Sequence, residues 1–114
     1  MTTLIRTIVE INGLYDILCA LSILHMINVP ILNDLHLSMI TVERSPISDR
    51  YFAYWIFTYG MIRLSDDYYL IAISYYIEAL LIFNELVKNS IDPTKGWCVL
   101  LSSVMLGNQV IRLR

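Results

Sequence analysis

Apolar residues gather in four stretches, about 7–27, 50–64, 68–87 and 97–111, and most polar residues fall in the short connections between them. A helix crossing about 30 Å of hydrocarbon needs about 20 residues at 1.5 Å each. The first and third stretches meet that length. The second and fourth are shorter, which bilayer thinning or snorkelling flanks can accommodate. The pattern predicts an all-α integral membrane protein, a compact bundle of four short transmembrane helices forming a single domain over residues 1–114. Three spans with one interfacial segment is the competing arrangement.

The connections fit that layout. Asn28-Val29-Pro30 should end the first helix, because proline removes a donor and disfavours helix in the residue before it. Over 31–40, apolar Ile31, Leu32, Leu35 and Met39 are interleaved with Asp34 and His36, as in a short helix lying in the membrane interface after the first span. Residues 41–50 are the most polar segment and should form a solvent-facing loop that offers a partner contact. Ser65-Asp66-Asp67 reads as a tight turn with Ser65 able to cap the third span, and 88–96, holding Pro93 and Gly96, as the last loop. Tyr51, Tyr54, Trp55, Tyr68, Tyr69 and Trp97 lie near predicted span ends, where amphipathic rings prefer the headgroup level.

Composition strengthens the membrane reading. Charged residues are 16% of the chain and mean hydropathy is +0.61, against about 25% charged in soluble domains. A net charge of −2 leaves no basic footprint for nucleic acid. The N-terminal apolar run continues without a small-residue cleavage site, so it reads as a retained anchor. Seventeen isoleucines against four alanines point to AT-rich coding, as in organelles, protists or their large viruses. Orientation is balanced: Arg6, Arg63, Arg112 and Arg114 fall on one side, Arg44, Arg50, Lys88 and Lys95 on the other.

Ionisable groups inside spans are costly, about 2.5–3.5 kcal/mol each on insertion scales, so they mark the candidate site. Three qualify by depth: Asp16 in the first span, Glu78 in the third, and Arg63 towards the end of the second. Asn12 shares a helical face with Asp16 and Cys19, Ser74 with Glu78 and Glu85, and Gln109 with Ser102 on the last span. Asn12, Asp16, Arg63, Ser74, Glu78 and Gln109 form the candidate intramembrane polar core. Arg63 cannot shed its charge, so a buried Arg63 should find Asp16, Glu78 or both, unless it snorkels out towards Asp66 and Asp67. Ser103-x-x-x-Gly107 permits close helix approach, and Gly60 to Leu64 echoes Gly107 to Leu113, hinting at a two-plus-two repeat.

No catalytic, metal or cofactor motif is present. Cys19 and Cys98 read as free apolar fillers, since no C-x-x-C or Cys/His cluster exists. His25 and His36, eleven residues apart across Pro30, read as interfacial rather than as haem ligands. Two functions follow. One is a non-catalytic subunit in a lipid bilayer, packed into a larger assembly (a respiratory or photosynthetic complex, or a virion's membrane layer) or a homo-oligomer. The alternative is a small membrane enzyme or a lipid- or sterol-binding protein, with an acidic site between helices near Tyr59 or Tyr75. A channel or transporter would need more spans or oligomerisation to enclose a path.

Overall fold

The computed structural model describes residues 2–27 and 29–113. Asn28 of the expected helix stop, Arg114 of the charge balance, and the side chains of Asp34 and Leu35 in the interfacial pattern lie outside the described set. The fold is all-α: α1 (Thr2–Ile23), a short α2 (Pro30–Leu37), α3 (Pro46–Leu64), α4 (Tyr68–Val87) and α5 (Pro93–Leu113). Turns and irregular segments join the helices, and one isolated bridge, Ile40 to Ile91, is the only β pairing among the described residues.

Helix ends follow from side-chain chemistry. The first helix stops at Ile23, earlier than proline would require, because His25 adopts a left-handed conformation (φ 61°). Its N–H donates to Ser22 O (3.0 Å) and that of Met26 to Leu21 O (2.9 Å), closing the carbonyl end in a Schellman motif. Asn89 (φ 58°) ends α4 in the same way, with Asn89 N–H on Leu86 O and Ser90 N–H on Glu85 O, each at 3.2 Å. Helix α3 begins inside the expected 41–50 loop. Ser45 and Ser48 form a reciprocal capping box, and Pro46 supplies the first turn. Asp67, not Ser65, caps α4, accepting from Leu70 N–H at 3.2 Å; Ser65 closes α3 instead. Pro93 opens α5 rather than lying in the loop, and Asp92 Oδ2 accepts from Lys95 N–H.

The capped turns lengthen the two short apolar stretches into helices of 19 and 21 residues. By length and composition, α4 and α5 are apolar enough to cross a membrane. Helix α1 carries Arg6, Glu10 and Asp16, and α3 carries Asp49, Arg50 and Arg63, so neither meets the same criterion.

The helices pack as two pairs, α1 with α3 and α4 with α5. Glycines set both contacts. A Cβ on Gly60 would lie 2.7 Å from Gly13 O and 2.6 Å from Ile17 Cγ1, so α1 and α3 cross almost backbone to backbone. Gly107 faces the ring of Tyr76 across the other pair. The pairs meet at one end through Ile5, Val9, Ile71, Ala72, Tyr75 and Val110. There Arg6 bridges Glu10 (2.7 Å), Asp66 (3.3 Å) and Ser65 O (2.9 Å). At the other end two separate apolar clusters form, one of Ala20, Ile23, Leu37, Ala53 and Ile56, the other of Met39, Ile82 and Ile91. The loops are stitched there by Thr41 N–H to Ser90 O (3.0 Å) and Asp92 N–H to Met39 O (2.7 Å). A single contiguous core, usual for a soluble domain, is replaced by three clusters around a space.

Candidate functional site

That space is a cavity of about 530 Å³ between the helix pairs. Aromatic and aliphatic side chains form most of its wall, including Phe52, Trp55 and Tyr59 from α3, whose rings run in successive edge or tilted contacts. Asp16, His36, Arg63, Glu78 and Glu85 bring charge to it.

Arg63 is its centre. Its side chain is 1% exposed and is packed between aromatic faces, with Cζ 3.8 Å from the ring centre of Tyr75 and 4.9 Å from that of Tyr59. Nη1 donates to Asp16 Oδ2 (2.7 Å) and Asn12 Oδ1 (3.0 Å), and Nε to Ser74 Oγ (3.3 Å). Nη2 stands 3.4 Å from Glu78 Oε2 as an ion pair but makes no hydrogen bond. The supporting groups are themselves held: Tyr75 Oη donates to Asn12 Oδ1 (2.7 Å), Ser74 Oγ to Ile71 O (2.6 Å) and Ser103 Oγ to Glu78 Oε1 (2.7 Å). Glu85 accepts from the Ser90 hydroxyl that the Asn89 turn brings round.

The structure thus gathers Asn12, Asp16, Arg63, Ser74 and Glu78 from three helices. Gln109 is half-buried on α5 and does not line the cavity. Arg63 does not snorkel out; Arg6 takes the place beside Asp66. Cys19 is buried and Cys98 exposed, both free. Among the described residues no group of three or more His, Cys, Asp or Glu could hold a metal ion.

His36 is the residue that sequence reasoning missed. It was expected at the interface, yet the early stop of α1 turns α2 back, and His36 Nε2 lies 3.6 Å from Asp16 Oδ1 with only 20% of its side chain exposed. Its ring also stacks near Tyr15 and Phe52. Burial opposes its charge, but Asp16, helped by the neighbouring Cys19, outweighs burial and pushes the imidazole from 6.5 up to about 9. A raised value means that protonated His36 stabilises the docked α2. That contribution is complete below about pH 6.5 and disappears as pH rises through about 9. Thermal unfolding followed across this window should show a falling midpoint, and His36→Gln should flatten that dependence. An unchanged slope in the variant would place the titration elsewhere.

Chemically, the site sets a buried Arg63 Nη2 without a hydrogen-bond partner beside the partly exposed Glu78 carboxylate. Asp16, Glu78 and the His36 imidazole beside one cavity can also exchange a proton with a bound molecule. No protein-family model, curated protein or solved structure matches the chain.

Proposed function

We propose that the chain is a four-span integral membrane protein that binds one small amphiphile in the cavity between its helix pairs. The observation that carries this reading is a buried guanidinium with an unspent Nη2 edge, set in an otherwise apolar and aromatic cavity. Its volume lies within the range of about 300–1,000 Å³ that drug-sized ligands occupy. Buried donors are ordinarily satisfied, and a ligand is one way to satisfy this one.

Several features favour a bilayer around all four long helices. Large apolar side chains face outward on α1, α4 and α5, with Ile11 63%, Leu80 67% and Leu101 62% exposed. Arg6 and Glu10 pair with each other near one end of the bundle, and Arg44 and Asp49 pair at the other, where headgroups would meet them. Asp16 in α1 and Arg63, one residue from the end of α3, are both buried and face each other rather than lipid. Four spans place residues 1 and 114 on the same side, and protease protection of tags at both ends should show that; opposite sides would leave three spans. Between the two functions the sequence leaves open, the cavity favours ligand binding, while a subunit role rests on small size and short loops.

Solvent extraction of the purified protein, followed by mass spectrometry, should recover a small amphiphile at near one per chain. Val99→Trp, which fills the cavity from α5, should abolish recovery while circular dichroism keeps the helical signal. Absence of any stoichiometric amphiphile, with no thermal shift on adding lipids or sterols, would overturn the reading.

A further inference from the structure

We infer that the polar group recognised in this cavity is an uncharged hydroxyl on an otherwise apolar molecule, an alkanol or a sterol-like alcohol. The inference rests on the binding role proposed above and specifies its ligand class.

The charges that face the centre of the cavity come from three long helices and α2. Asp16 and Glu78 are negative, Arg63 is positive, and His36, drawn up by Asp16, adds a second positive group. The centre is therefore balanced. Glu85 lies seven residues, about 10 Å, further along α4 and is occupied by Ser90. A ligand carboxylate would sit among Asp16, Glu78 and Glu85. A ligand ammonium would meet Arg63 and His36. A balanced centre offers neither head a net countercharge to offset its desolvation.

Hydrogen-bonding capacity narrows the choice further. Nη2 of Arg63 is a donor without an acceptor, and Glu78 Oε2, 3.4 Å away, accepts no hydrogen bond among the described residues. A buried donor and an acceptor, not hydrogen-bonded to each other, thus lie side by side in residues of the cavity wall. A hydroxyl both accepts and donates, so one oxygen can bridge them; a carboxylate can only accept and an ammonium can only donate. Tyr59 Oη, buried in the same wall, also lacks a hydrogen-bond partner. It is a second contact for the same oxygen.

Trp55 lines the cavity, and the other tryptophan, Trp97, is exposed on α5, so a Trp97→Phe protein carries a single reporter at the site. Its fluorescence in lipid bilayers would be titrated with dodecanol, dodecylammonium, dodecanoate and dodecane, which share one chain and differ in the head. Dodecanol should bind at least about tenfold more tightly than either charged probe. Tyr59→Phe should weaken dodecanol severalfold while leaving dodecane binding unchanged and holding or raising the unfolding midpoint of the free protein, because the buried hydroxyl has no hydrogen-bond partner within the protein. Tighter binding of dodecylammonium or dodecanoate would overturn the hydroxyl assignment and leave the cavity's binding role standing. Failure of all four probes to change the Trp55 signal would overturn the binding role itself.

Discussion

Arg63→Leu should lower the unfolding free energy by about 3–5 kcal/mol in mixed-micelle denaturation, because it strands buried carboxylates. Asp16 is the more vulnerable to this loss: among the described residues its carboxylate has a 2.7 Å bond to Arg63 and otherwise only the longer, pH-dependent contact to His36. Glu78 retains Ser103. Arg63→Leu combined with Asp16→Asn should therefore recover more of the loss than Arg63→Leu combined with Glu78→Gln. Such recovery is the coupling expected of residues in one network. Strictly additive effects in both cycles would mean that the ion pairs carry no net energy and that packing against Tyr59 and Tyr75 is what Arg63 supplies.

Gly60→Ala should also be costly, although alanine is the better helix former by about 1 kcal/mol. The added methyl would meet the Gly13 carbonyl at 2.7 Å, and backbone cannot rotate away as a side chain can. Overpacking of this kind costs about 1–3 kcal/mol, so the net change should be destabilising, with α1 and α3 pushed apart. Gly107→Ala supplies the internal comparison. Its nearest neighbour is the exposed Tyr76 ring at 3.0 Å, a side chain rather than backbone, tied by its hydroxyl to exposed Asn108, so a small ring shift suffices and the change should stay within about 1 kcal/mol. Equal losses at the two positions, read by the same denaturation assay, would contradict the close crossing at Gly60.

The echo between the Gly60 and Gly107 segments was visible in the sequence, but not what each glycine touches. Each lies where its helix meets the other member of its pair, and only the structure distinguishes a backbone contact from a ring contact. Helix α4 was readable to its ends, since Asp67 and the polar 88–92 segment bound a continuous apolar run. The starts of α3 and α5 were not, because polar residues before an apolar run, Ser45 to Arg50 and Asp92 to Gly96, look like loop until the cap is seen to form.

The polar site shows the same division. That a deep arginine demands an anion follows from its chemistry, and helical arithmetic puts Asn12 beside Asp16 and Ser74 beside Glu78. The arithmetic gives a face and not a distance, which is why Gln109 was grouped with residues it does not join. His36 depended on a left-handed histidine at position 25, a conformation to which histidine gives only a weak bias. The cavity had no sequence signature at all. It is the volume left where two helix pairs meet at one end and separate towards the other, with the Ile40–Ile91 bridge closing the loops.

Photolabelling in lipid bilayers with an aliphatic alcohol bearing a diazirine, followed by peptide mass spectrometry, most directly tests whether a ligand occupies that volume. Saturable adducts should fall on the cavity wall, at Tyr59 and Glu78 and their lining neighbours, and excess dodecanol should remove them. Adducts spread over outward-facing Ile11, Leu80 and Leu101 in proportion to exposure, and undiminished by dodecanol, would show that the alcohol meets this protein only as bulk lipid.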